Sequence, residues 1–256
     1  MVGANLVEIF SSFQGEGPHV GASTLFVRFG ECDLRCRWCD SPHTWKPSAR
    51  CRIEDPARGE REVDNPVPLA EITAAAAALG VARHRFVSLT GGEPLLQPDA
   101  VRAVAAALRT LGPRILLETH GLATDALERA IDAIDVVSMD WKLASEVARA
   151  GARRGAPREE FHEQHARFLR VARTAGEVYV KVVVTPATRD EELDALAREV
   201  AAVDPEVPLV LQPVTPRGAV KKSPDPAQLI AWQVRLERTL RDVRVIPQTH
   251  PGLGVR

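Results

Sequence analysis

Short apolar runs of strand character alternate with helical segments along most of the chain, and this alternation limits the possible folds more than any other feature. Strands are expected at about residues 25–29, 85–89, 115–118, 136–139, 178–184, 209–212 and 243–246. The helical segments fall at about 69–79, 99–111, 125–133, 158–174, 190–203 and 226–241. A parallel strand pair needs a long return connection, and helices supply it. About seven strands in 256 residues predict a single α/β domain spanning 1–256. Its expected architecture is an incomplete (β/α) TIM-like barrel, with parallel strands inside and helices outside; a doubly wound open sheet is the other arrangement that the pattern allows. In both, function gathers at the carboxyl ends of the strands. Residues 42–68 break the alternation with several prolines and mixed charges, so an irregular, solvated insertion is expected there, with Cys51 an incidental loop thiol.

The first of these strands leads directly into Cys32-Asp33-Leu34-Arg35-Cys36-Arg37-Trp38-Cys39. Three thiolates on one loop can hold three irons of a cubane cluster and leave the fourth open, whereas a structural cluster normally takes four cysteines. Only Cys51 remains elsewhere, so a four-thiolate zinc site has no second cysteine pair. A zinc knuckle completed by His43 is the plainer alternative. A disulfide framework is disfavoured by the length of the chain and its few cysteines.

Thr90-Gly91-Gly92-Glu93-Pro94 ends the second strand. Paired glycines let a backbone come close to a ligand, and Glu93 adds a charge suited to an ammonium group; in isolation the same residues would read as a turn. Ser138-Met139-Asp140-Trp141-Lys142 and Gln212-Pro213-Val214-Thr215 occupy two further strand ends, with the acid, base and hydroxyl groups that a ribose and carboxylate site needs. Surface ion pairing would account for them equally. His162-Glu163-Gln164-His165 lacks zincin spacing and reads as a solvated helix face. No Walker loop, dinucleotide fingerprint or nucleophile elbow is present.

The cysteine spacing, the aromatic Trp38 before the third cysteine and the Gly-Gly-Glu-Pro run together resemble the radical SAM (S-adenosylmethionine) enzymes. Phe13-Gln14-Gly15-Glu16-Gly17-Pro18, Arg28, Cys39-Asp40-Ser41 and Gln248-Thr249-His250 narrow the resemblance to the 7-carboxy-7-deazaguanine synthase family. The resemblance implies a lyase that converts 6-carboxy-5,6,7,8-tetrahydropterin to 7-carboxy-7-deazaguanine with loss of ammonia, in queuosine and related deazapurine biosynthesis. It also implies a 4Fe-4S cluster on Cys32, Cys36 and Cys39, with no protein side chain as the catalyst itself. SAM contacts are implied for Trp38, Gly91, Gly92, Glu93, Ser138, Asp140, Lys142, Gln212, Pro213, Val214 and Thr215. Substrate contacts are implied for Phe13, Gln14, Gly15, Arg28, Thr90 and His250, and for the main-chain carboxylate of Arg256. Ser41 stands where the family has a threonine on Mg²⁺ and retains the hydroxyl. An electron donor such as flavodoxin or ferredoxin and a homodimer are further implications.

A net charge of -1 without a basic stripe argues against a nucleic-acid partner. No apolar run reaches bilayer length, and the amino terminus lacks a signal-peptide pattern, with Glu8 interrupting its apolar stretch. A cytoplasmic protein is therefore expected, in a compartment that preserves reduced thiols. A glycyl-radical-enzyme activase and a zinc-binding module are the alternative functions.

Overall fold

The structure, a computed structural model, describes residues 2–153, 155 and 157–255. Ten strands form one sheet: β1 (Leu6–Phe13), β2 (Ser23–Phe29), β3 (Arg50–Asp55), β4 (Gly59–Asp64), β5 (Phe86–Gly91), β6 (Arg114–Thr119), β7 (Val136–Asp140), β8 (Glu177–Val184), β9 (Leu209–Pro213) and β10 (Val243–Val245). Their order is β10-β9-β8-β7-β6-β5-β2-β1-β3-β4. The run from β2 through β5 to β10 is parallel throughout, as the alternation requires. Helices α1 (Leu69–Ala78), α2 (Pro98–Arg109), α3 (Thr124–Glu128), α4 (His162–Ala172), α5 (Asp190–Val203) and α6 (Pro226–Leu236) provide the crossovers. The two edges do not pair, so the fold is the expected incomplete barrel.

Strand periodicity divides the core into two layers. Val87, Leu89, Ile115, Leu117, Val180, Val182 and Val184 face the helices, where α2 contributes Val101, Val104 and Leu108 and α5 contributes Leu193, Leu196 and Val200. The alternate positions face inward. Phe86, Leu116, Val136, Tyr179 and Val210 form an apolar plug at one level, and two residues further along the same strands come Ser88, Glu118, Ser138, Lys181 and Gln212. Each inner strand face therefore changes from apolar to polar toward its carboxyl end.

The expected irregular insertion is corrected. Within 42–68, β3 and β4 form an antiparallel hairpin, and β3 adds to β1 in parallel. Cys51 and Ile53 are fully enclosed in the main core, so Cys51 is a packing residue of a strand rather than a loop thiol. The alternation of Cys51 and Ile53 with Arg50, Arg52 and Glu54 is an ordinary half-buried strand pattern, masked by the density of charge. Strand β1 was missed for the same reason. Glu8, which breaks its apolar run, is opposite both Arg28 and Arg52 in register and pairs with them at 2.8 and 2.9 Å. The helix expected near 125–133 is α3 followed by a 3₁₀ turn at Ile131–Ala133. Among the described residues, no helix is long and apolar enough to cross a membrane.

Candidate active site

The polar ends of the inner strand faces open into a cavity of about 570 Å³, walled by β1, β2, the cysteine loop, β5 to β9 and the segment from Gln248 to Val255. Five strands of an apolar sheet would not leave polar residues facing a common space unless that space were used, because a buried polar group without a partner is costly. Two such groups line it. Asp140 Oδ1 and Gln212 Oε1 are buried and have no hydrogen-bond partner.

The glycine pair registers the cysteine loop. A Cβ on Gly91, whose φ is +136°, would lie 2.2 Å from Phe29 O, and a Cβ on Gly92 would lie 1.9 Å from Glu31 O. Only glycine allows β5 to abut the backbone that leads into Cys32. Gly92 N–H donates to Phe29 O at 3.1 Å and Glu93 N–H to Glu31 O at 2.7 Å, fixing the approach. Glu93 is fully enclosed and absent from the cavity wall, with Oε1 accepting from Leu95 N–H and Thr119 Oγ1 and Oε2 from His120 N–H. It ties β5 to β6.

Cys32, Cys36 and Cys39 all line the cavity, partly buried and free of disulfides. The short strand Leu34–Cys36 pairs antiparallel with Val147–Arg149, and Cys39 N–H donates to Cys36 O at 3.2 Å. Burial pushes the Cys32 thiol up to about 12 and the Cys36 thiol up to about 11, with Lys142 acting in the opposite direction. Metal-ligating thiolates at these positions need compensating positive charge, which iron supplies. Among the described residues, no three His, Cys, Asp or Glu side chains converge on a single ion. In a cubane each thiolate would have its own iron. The donor set thus suits a cluster with one iron unligated by protein.

The loop is braced on both sides. Asp33 accepts from His120 Nε2 at 2.9 Å and from Arg149 Nη1 at 3.0 Å, and Arg149 also forms a fork with Glu159. Burial alone would raise Asp33, but the His120 hydrogen bond and the charge of Arg149 hold its carboxyl down at about 2. His120 Nδ1 accepts from Leu122 N–H at 3.2 Å, which places the proton that meets Asp33 on Nε2. On the other side, Arg37 is held at 3.1 Å by the buried carboxylate of Glu146. Trp38 packs with Val183, Val214 and Val220.

A charge relay crosses the cavity floor. Asp140 Oδ2 accepts from Lys142 at 2.7 Å and Lys181 at 3.1 Å, Lys181 reaches Glu16 at 2.8 Å, and Gln248 links Glu16 to Asp40. Burial opposes charge on both lysines, yet the adjacent carboxylates more than offset it and keep them protonated. The same lysines hold Asp140 ionised against burial. On the rim, the Ser41 hydroxyl at 2.8 Å, the charge of Arg28 and Gln248 keep the Asp40 carboxyl below its usual value despite the crowding of the wall.

Most residues singled out in the sequence meet here. Phe13, Gln14, Gly15, Arg28, Trp38, Ser41, Thr90, Gly91, Gly92, Ser138, Asp140, Lys142, Gln212, Val214, Thr215 and His250 all line the cavity. Pro213 does not: it is buried within β9. Arg256 lies outside the described residues. The two chain ends meet closely, with Thr249 N–H donating to Gly15 O at 3.0 Å and a Cβ on Gly15 falling 2.3 Å from His250 Nδ1. Glu16 and Asp40, named in the motifs but given no role, and Glu118, His120 and Lys181, not singled out in the sequence, also line the wall. Glu118 accepts from Gln14 Nε2 at 2.9 Å, Ser88 Oγ at 2.7 Å and Thr90 Oγ1 at 2.8 Å. A charged residue two positions from an inward apolar one, as in Leu116 and Glu118 or Tyr179 and Lys181, was the available signal. His165 corrects another reading: it is fully buried against Trp141, donates through Nδ1 to Gly121 O and accepts at Nε2 from Lys142 N–H.

The radical SAM superfamily profile matches residues 27–200. The 7-carboxy-7-deazaguanine synthase of Geobacter sulfurreducens is 37% identical over 98% of this chain and 98% of that protein. The protein of the same name from Methanopyrus kandleri is 35% identical over 97% of this chain and 92% of its own length. The fold is also similar to the crystal structure of QueE from Escherichia coli, with a TM-score of 0.62 and 22% identity over 96% of this chain and 93% of that one. Such identity along nearly the full length of both relatives, on a three-cysteine loop of this construction, makes the chain a member of the 7-carboxy-7-deazaguanine synthase family within the radical SAM superfamily.

Proposed function

We propose that this chain is a radical SAM carbon–nitrogen lyase that converts 6-carboxy-5,6,7,8-tetrahydropterin to 7-carboxy-7-deazaguanine with loss of ammonia, a step in queuosine and related deazapurine biosynthesis. The observation that carries the reading is the meeting of Gly15, Arg28, the cysteine loop and His250 around one cavity. When bound, the cluster and SAM supply a 5'-deoxyadenosyl radical; the protein's part is to position reactants and exclude water.

Cys32, Cys36 and Cys39 hold the cluster in this reading. The unsatisfied Asp140 Oδ1 and Gln212 Oε1 accept hydrogen bonds from SAM, Trp38 lies along its adenine, and Ser138, Lys142, Val214 and Thr215 complete the pocket with the backbone of Gly91 and Gly92. Glu93 and Pro213 complete the SAM site in this reading. Arg28 is oriented by Glu8 through its Nε and takes the substrate carboxylate with its outer nitrogens. Gln14 and Thr90, each fixed on Glu118, and Phe13, Gly15 and His250 line the pterin. Ser41, with its hydroxyl on Asp40, offers oxygen ligands to Mg²⁺. The chain acts as one domain in the cytoplasm, as a homodimer, and draws electrons from a flavodoxin or ferredoxin.

The test is an anaerobic incubation of reconstituted enzyme with SAM, reductant, Mg²⁺ and the carboxytetrahydropterin, with product identified by mass spectrometry. 7-Carboxy-7-deazaguanine is the expected product. SAM cleavage without it would overturn the substrate assignment.

A further inference from the structure

The hairpin of β3 and β4 stands where a solvated insertion was expected, and it brings into the cavity a side chain that no motif singled out, Arg52. Glu8 of β1 is flanked in register by Arg28 of β2 on one side and by Arg52 of β3 on the other, so the three side chains leave the same face of three adjacent strands. Glu8 Oε1 accepts from Arg28 Nε at 2.8 Å and Glu8 Oε2 from Arg52 Nη2 at 2.9 Å. One buried carboxylate thus carries two guanidiniums, and a positive charge is left over within the triad. Among the described residues, neither arginine forms a second ion pair or hydrogen bond. Glu62, opposite Arg52 on β4, is drawn to Arg50 instead, at 2.8 Å. Cys51 and Ile53, fully enclosed in the core on either side of Arg52, fix the strand that presents it. The side chain of Arg28 is 18% exposed and that of Arg52 43%, so the pair runs from the interior of the cavity to its mouth.

We propose that Arg52 is a second specificity-determining residue for the substrate's carboxylate, which Arg28 and Arg52, aligned on Glu8, grip from two sides. The inference rests on the carboxypterin reading and deepens it by giving the hairpin a part in recognition. Each guanidinium spends one nitrogen on Glu8 and keeps its other N–H groups for a ligand. An ionised carboxylate has about four acceptor sites, so a planar fork from one arginine leaves room for a donor from the other. Net charge is not what holds the anion. Asp40 keeps its charge in the field of Arg28 and offsets the excess of the triad, while His43, on the same wall, is kept below its usual value by burial and by the charges of Arg28 and Arg52. Recognition therefore comes from directed N–H donors, and an analogue without the carboxylate would leave them unpaired.

The experiment is anaerobic calorimetry on the reconstituted full-length enzyme with SAM and Mg²⁺. The probes are oxidised 6-carboxypterin, which has no hydrogen on carbon 6 and cannot turn over, and pterin, which lacks the carboxylate. Arg52→Gln is expected to bind 6-carboxypterin about ten-fold more weakly than the wild type and pterin about equally. Arg52→Lys, which keeps the charge without the fork, should recover part of the loss. In an Arg28→Gln background, Arg52→Gln should weaken 6-carboxypterin binding further. Unchanged 6-carboxypterin affinity in Arg52→Gln would overturn the proposal. An equal loss for both probes would also overturn it, because Arg52 would then serve only as a structural counter-ion of Glu8. So would the absence of any effect in the Arg28→Gln background, since Arg52 would then act only through Arg28. A wild type that binds pterin as tightly as 6-carboxypterin would instead strike the substrate reading and this inference together.

Discussion

Gly92→Ala is the most direct test of how the site is assembled. The added methyl would sit 1.9 Å from Glu31 O, 2.6 Å from Glu31 C and 3.0 Å from Thr44 O, all backbone atoms that no rotamer change can move aside. It falls about 1.5 Å short of ordinary van der Waals contact, so β5 and the entry to the cysteine loop must separate by that order. Separation breaks the bonds Gly92 N–H to Phe29 O and Glu93 N–H to Glu31 O. Overpacking costs about 1–3 kcal/mol, and a buried backbone group left unpaired costs about 1–3 kcal/mol more. At about 2–4 °C per kcal/mol for a chain of this size, Tm should fall by roughly 5–20 °C. The measurement is calorimetry of the cluster-free chain, followed by iron and sulfide analysis after reconstitution and by SAM cleavage. A displacement near 1 Å is worth about 10²-fold in rate, so cleavage should fall further than iron content. Gly252→Ala, where a Cβ meets nothing within 4 Å, is the control and should leave Tm within about 1 °C. If Gly92→Ala melts with the wild type and takes up full iron and sulfide, the glycine turn does not register the cysteine loop.

Three further outcomes follow from the buried polar groups. Lys181→Met leaves Glu16 without its cation and Asp140 with one lysine instead of two, and should cost about 3–5 kcal/mol in urea unfolding; an unchanged midpoint would remove the case for the relay. Glu118→Gln turns an amide N–H₂ toward donors on Gln14, Ser88 and Thr90, and should lower kcat/KM for the carboxypterin by about 10- to 100-fold with SAM affinity retained. A variant that weakens SAM binding instead would place Glu118 in the other half of the cavity. His165 is held neutral by burial, far below its usual range, while the unfolded chain protonates near pH 6.5. The unfolded state therefore binds the extra proton as pH falls, and stability should decline below about pH 6.5 by up to about 1.4 kcal/mol per unit. His165→Gln should flatten that decline between pH 6.5 and 5, as read from urea midpoints, and equal slopes would exclude the assignment.

The parallel part of the fold was legible because its strands are buried on both faces and read as apolar runs such as Val182–Val184 and Leu209–Leu211. The other part was hidden by charge. Strand β3 buries only Cys51 and Ile53 and carries arginine and glutamate between them, and β1 contains Glu8, whose partners Arg28 and Arg52 lie 20 and 44 residues away. No local window holds the ions that neutralise one another across three strands. The same difficulty governs the site. Cys32, Cys36 and Cys39 were identifiable from spacing alone, and Arg28 and His250 from resemblance, but Glu118 and Lys181 lie inside strands that read as core. The motif around Glu93 gives no hint of the three protein donors its carboxylate also serves, Leu95 N–H, Thr119 Oγ1 and His120 N–H, two of them on the next strand and loop.

Register explains which of the hidden residues meet. Asp140 and Lys181 are direct partners across β7 and β8, and Ser138 is opposite both Glu118 and Tyr179. The relay is therefore written into strand pairing rather than assembled by flexible loops, and its rigidity follows from the sheet. A slip of one residue in β8 would turn Lys181 into the layer packed against α4 and α5 and bring Val180 or Val182 into the cavity. An unpaired ammonium in that layer costs several kcal/mol, and Glu16 and Asp140 would lose their counter-ion at the same time. The residues that charge the cavity thus also exclude the wrong register, which ties the pairing of the central strands to the electrostatics of the site they build.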